Sequence, residues 1–108
     1  MTVDEKKSVL AKHLAEFRKW SYEALVAEID RTRKAHDCLL STEGVFEDDT
    51  EYAIEVNVYW DDKTGGDVRV IADLTTPSPV QQGKFSVFST PDVMDGFIMK
   101  RDGCFVDE

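Results

Sequence analysis

Residues 52–74 read Tyr52-Ala-Ile-Glu-Val-Asn-Val-Tyr-Trp60, then Asp61-Asp-Lys-Thr-Gly-Gly66, then Asp67-Val-Arg-Val-Ile-Ala-Asp-Leu74. Strict alternation of apolar and polar residues on both sides of a Gly-containing turn is the pattern of two half-buried antiparallel strands. In the first strand Tyr52, Ile54, Val56, Val58 and Trp60 share one face. In the second, Val68, Val70, Ala72 and Leu74 do so. Opposed residues of an antiparallel pair point to the same side, so even-numbered residues must meet even-numbered ones. A slip of one residue would expose an entire apolar set. Placing Trp60 opposite Val68 satisfies this rule. The same register sets Tyr59 beside Arg69 and Glu55 opposite Asp73. It predicts a loop of Lys63, Thr64 and Gly65 closed by Asp62 and Gly66, with Gly65 left-handed.

The apolar face needs a cover, and the N-terminal third supplies it. Residues from about 4 to 34 lack Pro and Gly and are rich in helix formers. Leu10, Leu14 and Phe17 form one apolar stripe, with His13 at its margin. Tyr22, Leu25, Val26 and Ile29 form another. A single helix of this length would run about 45 Å, longer than the roughly 30–35 Å breadth of such a domain. Two helices are therefore predicted, with Ser21 as N-cap of the second. The alternative is one long helix that overhangs the sheet and packs on a second copy.

The rest of the chain follows. Leu39 and Leu40 tuck under the fold. Residues 41–51 read as a polar surface loop with a short strand at Val45 and Phe46. Pro77 and Pro79 mark a loop or sheet edge. Residues 84–89 read as a short strand and residues 90–96 as a connection. Asp102-Gly103 lies between the apolar residues 97–99 and 104–106 and predicts a type I′ hairpin. The fold class is α+β: one or two N-terminal helices (about 4–34) on a four- to five-stranded antiparallel sheet (about 45–107), one domain over residues 1–108.

The net charge is −9. Residues 1–37 hold eight basic and seven acidic side chains, and the remainder holds five and fifteen, so the sheet half carries the acidity. Such a surface repels phosphate backbones and anionic headgroups, which makes nucleic acid and membrane poor partners and favours a basic one. There is no long apolar run and no basic-then-apolar leader, so a cytoplasmic protein is expected. Cys38 and Cys104 belong to no spaced motif and are expected as free, buried thiols.

Residues 58–63 (Val-Tyr-Trp-Asp-Asp-Lys), 65–70 (Gly-Gly-Asp-Val-Arg-Val), 97–99 (Phe-Ile-Met), Asp102-Gly103 and Phe105-Val106 resemble a small family of uncharacterised bacterial proteins, a domain of unknown function. The resemblance covers about half of the chain and implies no activity. Two features depart from it: the long segment 75–83, and Cys104 in place of a small polar residue.

Several residues invite chemistry. Asp61, Asp62 and Asp67 around two glycines suggest a cation loop, but Lys63 interrupts them and the ligand spacing is absent. A polar hairpin tip is the simpler reading. Glu47, Asp48, Asp49 and Glu51 read as a solvated loop. His13 and His36 do not converge by helix spacing. Trp20, Trp60, Tyr59 and Phe88 could line a pocket between helices and sheet, although aromatics at these spacings are usually core. Tyr59 and Ile71 share the wet sheet face, where an apolar patch would serve a partner or a dimer. No nucleophile elbow, P-loop, dinucleotide fingerprint or zinc spacing is present. No catalytic, cofactor or metal residue is assigned. The expectation is a non-enzymatic binding protein acting through a protein partner or self-association. The alternative is a small ligand-binding protein or enzyme with a helix–sheet pocket, using carboxylates and His13.

Overall fold

The computed structural model describes residues 2–76 and 91–106. Its elements are α1 (Val3–Arg18), α2 (Tyr22–Ala35), β1 (Leu40–Val45), β2 (Glu51–Trp60), β3 (Val68–Thr75) and β4 (Val93–Met99). The strands form an antiparallel sheet in the order β1-β2-β3-β4, and both helices pack on one face of it. The arrangement is α+β. The residues predicted as a strand at 84–89 and the Pro77–Pro79 loop lie outside the described residues.

The N-terminal third is two helices, and local chemistry decides it. Thr2 caps α1 by accepting from the Glu5 amide at 3.1 Å, and Ser21 caps α2 by accepting from the Ala24 amide at 3.1 Å. Between them the amides of Lys19 and Trp20 turn back onto Glu16 and Phe17, which tightens and closes α1. Helix α2 stops at His36, whose left-handed backbone (φ 52°) lets the Asp37 amide bond the Thr32 carbonyl at 3.0 Å. Replacing Ser21 by Ala leaves an amide at the start of α2 without its acceptor. The variant is expected to lose about 1 kcal/mol of stability, read as a lower urea midpoint at unchanged m-value.

The core forms where the two stripes meet the even face of the sheet. Leu10, Leu14 and Phe17 of α1 lie over β3 and β4, and Leu25 and Ile29 of α2 lie over β2 and β3. Beneath them Ile54, Val56, Val58, Val68, Val70, Ala72 and Leu74 are buried. The register is Trp60 to Val68, Tyr59 to Arg69 and Glu55 to Asp73, one that parity allows and a tight turn selects.

Four expectations need correction. The stretch read as a loop from residue 41 is strand β1, so the sheet begins at Leu40 rather than near 45. Its polarity reflects an edge position, where Ser41, Glu43 and Val45 are exposed. The connection read at 90–96 ends at Val93, where β4 begins. Its alternation was hidden by Asp95, which shares the parity of buried Val93 and Phe97 yet stays exposed. The β2–β3 loop does contain left-handed Gly65 (φ 87°), but it closes one pair further out. The Asp61 amide bonds the Asp67 carbonyl at 2.9 Å, and Gly66 bonds Lys63 at 3.0 Å. The C-terminal turn is a three-residue loop closed by Lys100 and Cys104. Only Gly103 is left-handed there, whereas a type I′ turn needs two such residues.

Candidate binding face

The helices cover one side of the sheet. The other side carries the odd-numbered residues of β1, β2 and β3, and the registers fix its rows. Ser41, Glu55, Asp73 and Met94 form one row; Asn57, Ile71 and Gly96 the next; Tyr59, Arg69 and Ile98 the third. Glu43, Ala53 and Thr75 flank the first row on the side away from Asn57. Tyr59 and Met94 are each at least half exposed, and Ile71 and Ile98 are half-buried.

Charge on this face is uneven. The only basic side chain in these rows, Arg69, is held by Asp61, with Nε and Nη2 at 2.8 and 2.6 Å from Oδ1. Toward the end of the face away from Tyr59 and Arg69 lie Glu43, Glu51, Glu55 and Asp73. Asn57 donates to Glu55 at 2.9 Å. Burial, and then the neighbouring charge of Glu55, push the Asp73 carboxyl above its ordinary value. Burial followed by the charges of Glu55, Asp73 and Cys38 raises the Tyr59 phenol. Burial and the charge of Glu55 also raise the Cys38 thiol, so the neutral thiol is favoured over the nucleophilic thiolate.

A measurable consequence attaches to Asp73. A carboxyl whose folded pKa exceeds its unfolded value binds more protons in the folded state. Its contribution is therefore fully favourable below the unfolded value, near 3.8, and is lost as pH rises through the folded one. Asp73→Asn is expected to stabilise the protein at neutral pH, and the gain should shrink as pH falls toward 3.8. Urea denaturation of both proteins between pH 3.5 and about 7 checks this; a gain independent of pH would show that ionisation of Asp73 is not its source.

The other candidates separate. Asp61 is committed to Arg69 at the hairpin tip, away from any shared site with Asp62 and Asp67. Among the described residues no group of three or more His, Cys, Asp or Glu side chains is placed to hold a metal ion. Glu47, Asp48 and Asp49 form the β1–β2 turn, where Asp49 is left-handed and Asp48 accepts from the Thr50 amide at 3.0 Å. His13 sets Nδ1 against the Val9 carbonyl at 3.0 Å within α1, and His36 is the cap of α2. Cys38 and Cys104 are both free and lie beside opposite outer strands. Cys104 is exposed, contrary to the expected burial, because it follows a surface turn.

Among the described residues the predicted aromatics Trp20, Trp60 and Tyr59 do not share a pocket. Trp20 packs on Phe17 with ring centroids 5.3 Å apart, and half-buried Trp60 packs against the core. Tyr59 is on the opposite side of the sheet, and Phe88 lies outside the described residues.

Sequence reasoning paired Tyr59 with Ile71 but missed Ile98, Met94 and Gly96. Reading residues 90–96 as a connection hid Met94 and Gly96, and Ile98, read in the C-terminal hairpin, was not paired with β3. Cys38 was also missed as a neighbour of Glu55, since only the β1–β2 pairing brings them near. Among the described residues no helix is long and apolar enough to cross a membrane. Comparison of the chain with protein-family models, curated proteins and solved structures finds no match to any of them.

Proposed function

We propose that this protein is a small, non-enzymatic, cytoplasmic binding module that recognises a basic protein surface through the open face of its sheet. One observation carries the reading. Among the described residues the sheet is covered on one side only, and the other side sets Tyr59, Ile71, Ile98 and Met94 on the same face as Glu43, Glu55 and Asp73. An apolar centre with a charged border is the anatomy of a protein interface. Because Asp61 neutralises Arg69, the border is acidic, and it steers cations inward and repels nucleic acid and anionic membranes.

The same charge argues against a second copy as the occupant. A two-fold dimer applies one patch to itself, so the excess acidic charge of this face would meet the same excess on the second copy. The groups with raised pKa also lie along an open face rather than around an enclosed cavity, which favours binding over catalysis.

The test combines native mass at several salt concentrations with an amide chemical-shift titration using a lysine-rich peptide. A monomer is expected, with shifts centred on Glu55, Asp73 and Tyr59 that fade as salt rises. Glu55→Lys combined with Asp73→Lys should abolish them. Shifts confined to the outer faces of α1 and α2, or a salt-independent response, would refute the reading.

A further inference from the structure

We propose that the hollow over Gly96 is an anchor pocket for one bulky apolar side chain, of Phe or Leu size, carried by a basic segment of the partner. This rests on the open-face reading and adds what the partner must present.

The hollow lies where the outer strand β4 presents Gly96 in place of a side chain between Met94 and Ile98. Ile71 lies across from Gly96, Met94 and Ile98 lie along the strand on either side, and Val106 closes the outer side. The Val106 amide holds that wall in place by bonding the Ile98 carbonyl at 2.9 Å. The space is about 340 Å³, near the lower end of the roughly 300–1,000 Å³ usual for small-molecule sites, and it opens broadly to solvent, so one side chain of a larger partner can enter it. Arg69 borders it with its charge already matched by Asp61, so its hydrocarbon stem is what an occupant meets.

Charge identifies what surrounds the anchor. Asp73 lies directly opposite Met94 at the edge of the hollow, and Glu55 is the next residue in the same row. Adjacent strands are about 4.8 Å apart, so these carboxylates stand roughly 5 and 10 Å sideways from β4. A lysine two or three residues from the anchor in an extended chain reaches them, since each residue advances about 3.3 Å. A cation there also relieves the repulsion between Glu55 and Asp73, which a neutral partner leaves in place.

The test uses three short peptides in chemical-shift titrations with the intact protein: Phe flanked by lysines, Ala flanked by lysines, and Phe flanked by glutamates. The Phe–lysine peptide is expected to bind about tenfold more tightly than the Ala–lysine peptide, with its largest shifts at Gly96, Ile98 and Val106. Equal binding of both lysine peptides, with shifts at Glu55 and Asp73, would overturn the anchor and leave the basic-partner reading standing. Equal binding of the two Phe peptides at Gly96 would support the pocket and overturn the requirement for a basic partner. Binding of none, or a protein that dimerises through this face at titration concentrations, would overturn both.

Discussion

Replacing Phe97 by Ala is expected to lower stability by about 3–5 kcal/mol, the usual cost of deleting a buried aromatic ring. Phe97 lies on β4 opposite Val70 and is 6 % exposed. Its ring meets Phe105 edge-on, with centroids 5.3 Å apart and planes at 85°. The guanidinium carbon of Arg18 is 4.8 Å from both ring centroids, so one cation serves two aromatic faces. Arg18 stands in the last turn of α1, where positive charge also favours the helix dipole. The ring thus ties together the end of α1, strand β4 and the residues after it. Its loss removes buried area, an aromatic pair of about 0.5–1.5 kcal/mol and a cation–π contact of about 0.5–2 kcal/mol, and these do not add simply.

Two further variants separate the contributions. Phe97→Leu keeps most of the apolar volume and is expected to cost about 1–2 kcal/mol. Arg18→Ala removes the cation with the rest of its side chain, at about 1 kcal/mol. Proteins of this size have roughly 5–15 kcal/mol in total, so Phe97→Ala removes a large share and lowers the melting temperature by about 15 °C or more. Urea and thermal unfolding measure both. A cost for Phe97→Ala no larger than that for Arg18→Ala would show that Phe105 collapses into the vacated space.

The elements that were legible in the sequence share one cause: a single face of each was unambiguous. The β2–β3 register followed from parity together with a tight turn, since even-numbered Ile54, Val56 and Val58 must meet even-numbered residues and the short loop brings Trp60 opposite Val68. The break between helices followed from length, because one helix over residues 4–34 outruns the breadth expected of such a domain, and Ser21 marked where the second begins. Strand β1 was hidden because an edge strand buries little, and its Ser41-Thr42-Glu43-Gly44 run has the composition of a loop. The start of β4 was hidden by Asp95 and Gly96, a pair that ordinarily marks a turn. The candidate face was half legible for the same reason. Tyr59, Arg69, Ile71 and Glu55 lie on strands whose pairing the sequence specified. Met94, Ile98 and Cys38 enter only through lateral neighbours that no local pattern encodes.

Gly96→Ala is expected to cost about 2–3 kcal/mol, in the upper part of the range for overpacking. A methyl group there would collide with the Val70 carbonyl oxygen and come within 3.2 Å of the Ile71 Cα. Both are backbone atoms of β3, so no rotamer change relieves the clash. Strand β4 must move away from β3, lengthening the ladder bonds that join this outer strand to the sheet. Gly44→Ala is the control: its methyl would meet the phenol end of Tyr52, a side chain able to swing outward. That variant should cost about 1 kcal/mol or less, because the relief is a rotation rather than a strand displacement. Thermal unfolding ranks the two, and amide exchange locates the damage: Gly96→Ala should speed exchange along β3 and β4, and leave β1–β2 protected. Equal costs for the two would mean that the β3–β4 spacing is not set by Gly96. The close approach of the strands and the hollow on the open face have the same origin in a missing side chain. A residue selected only to fill that hollow should therefore damage the sheet, and this ties the proposed anchor pocket to the stability of the fold.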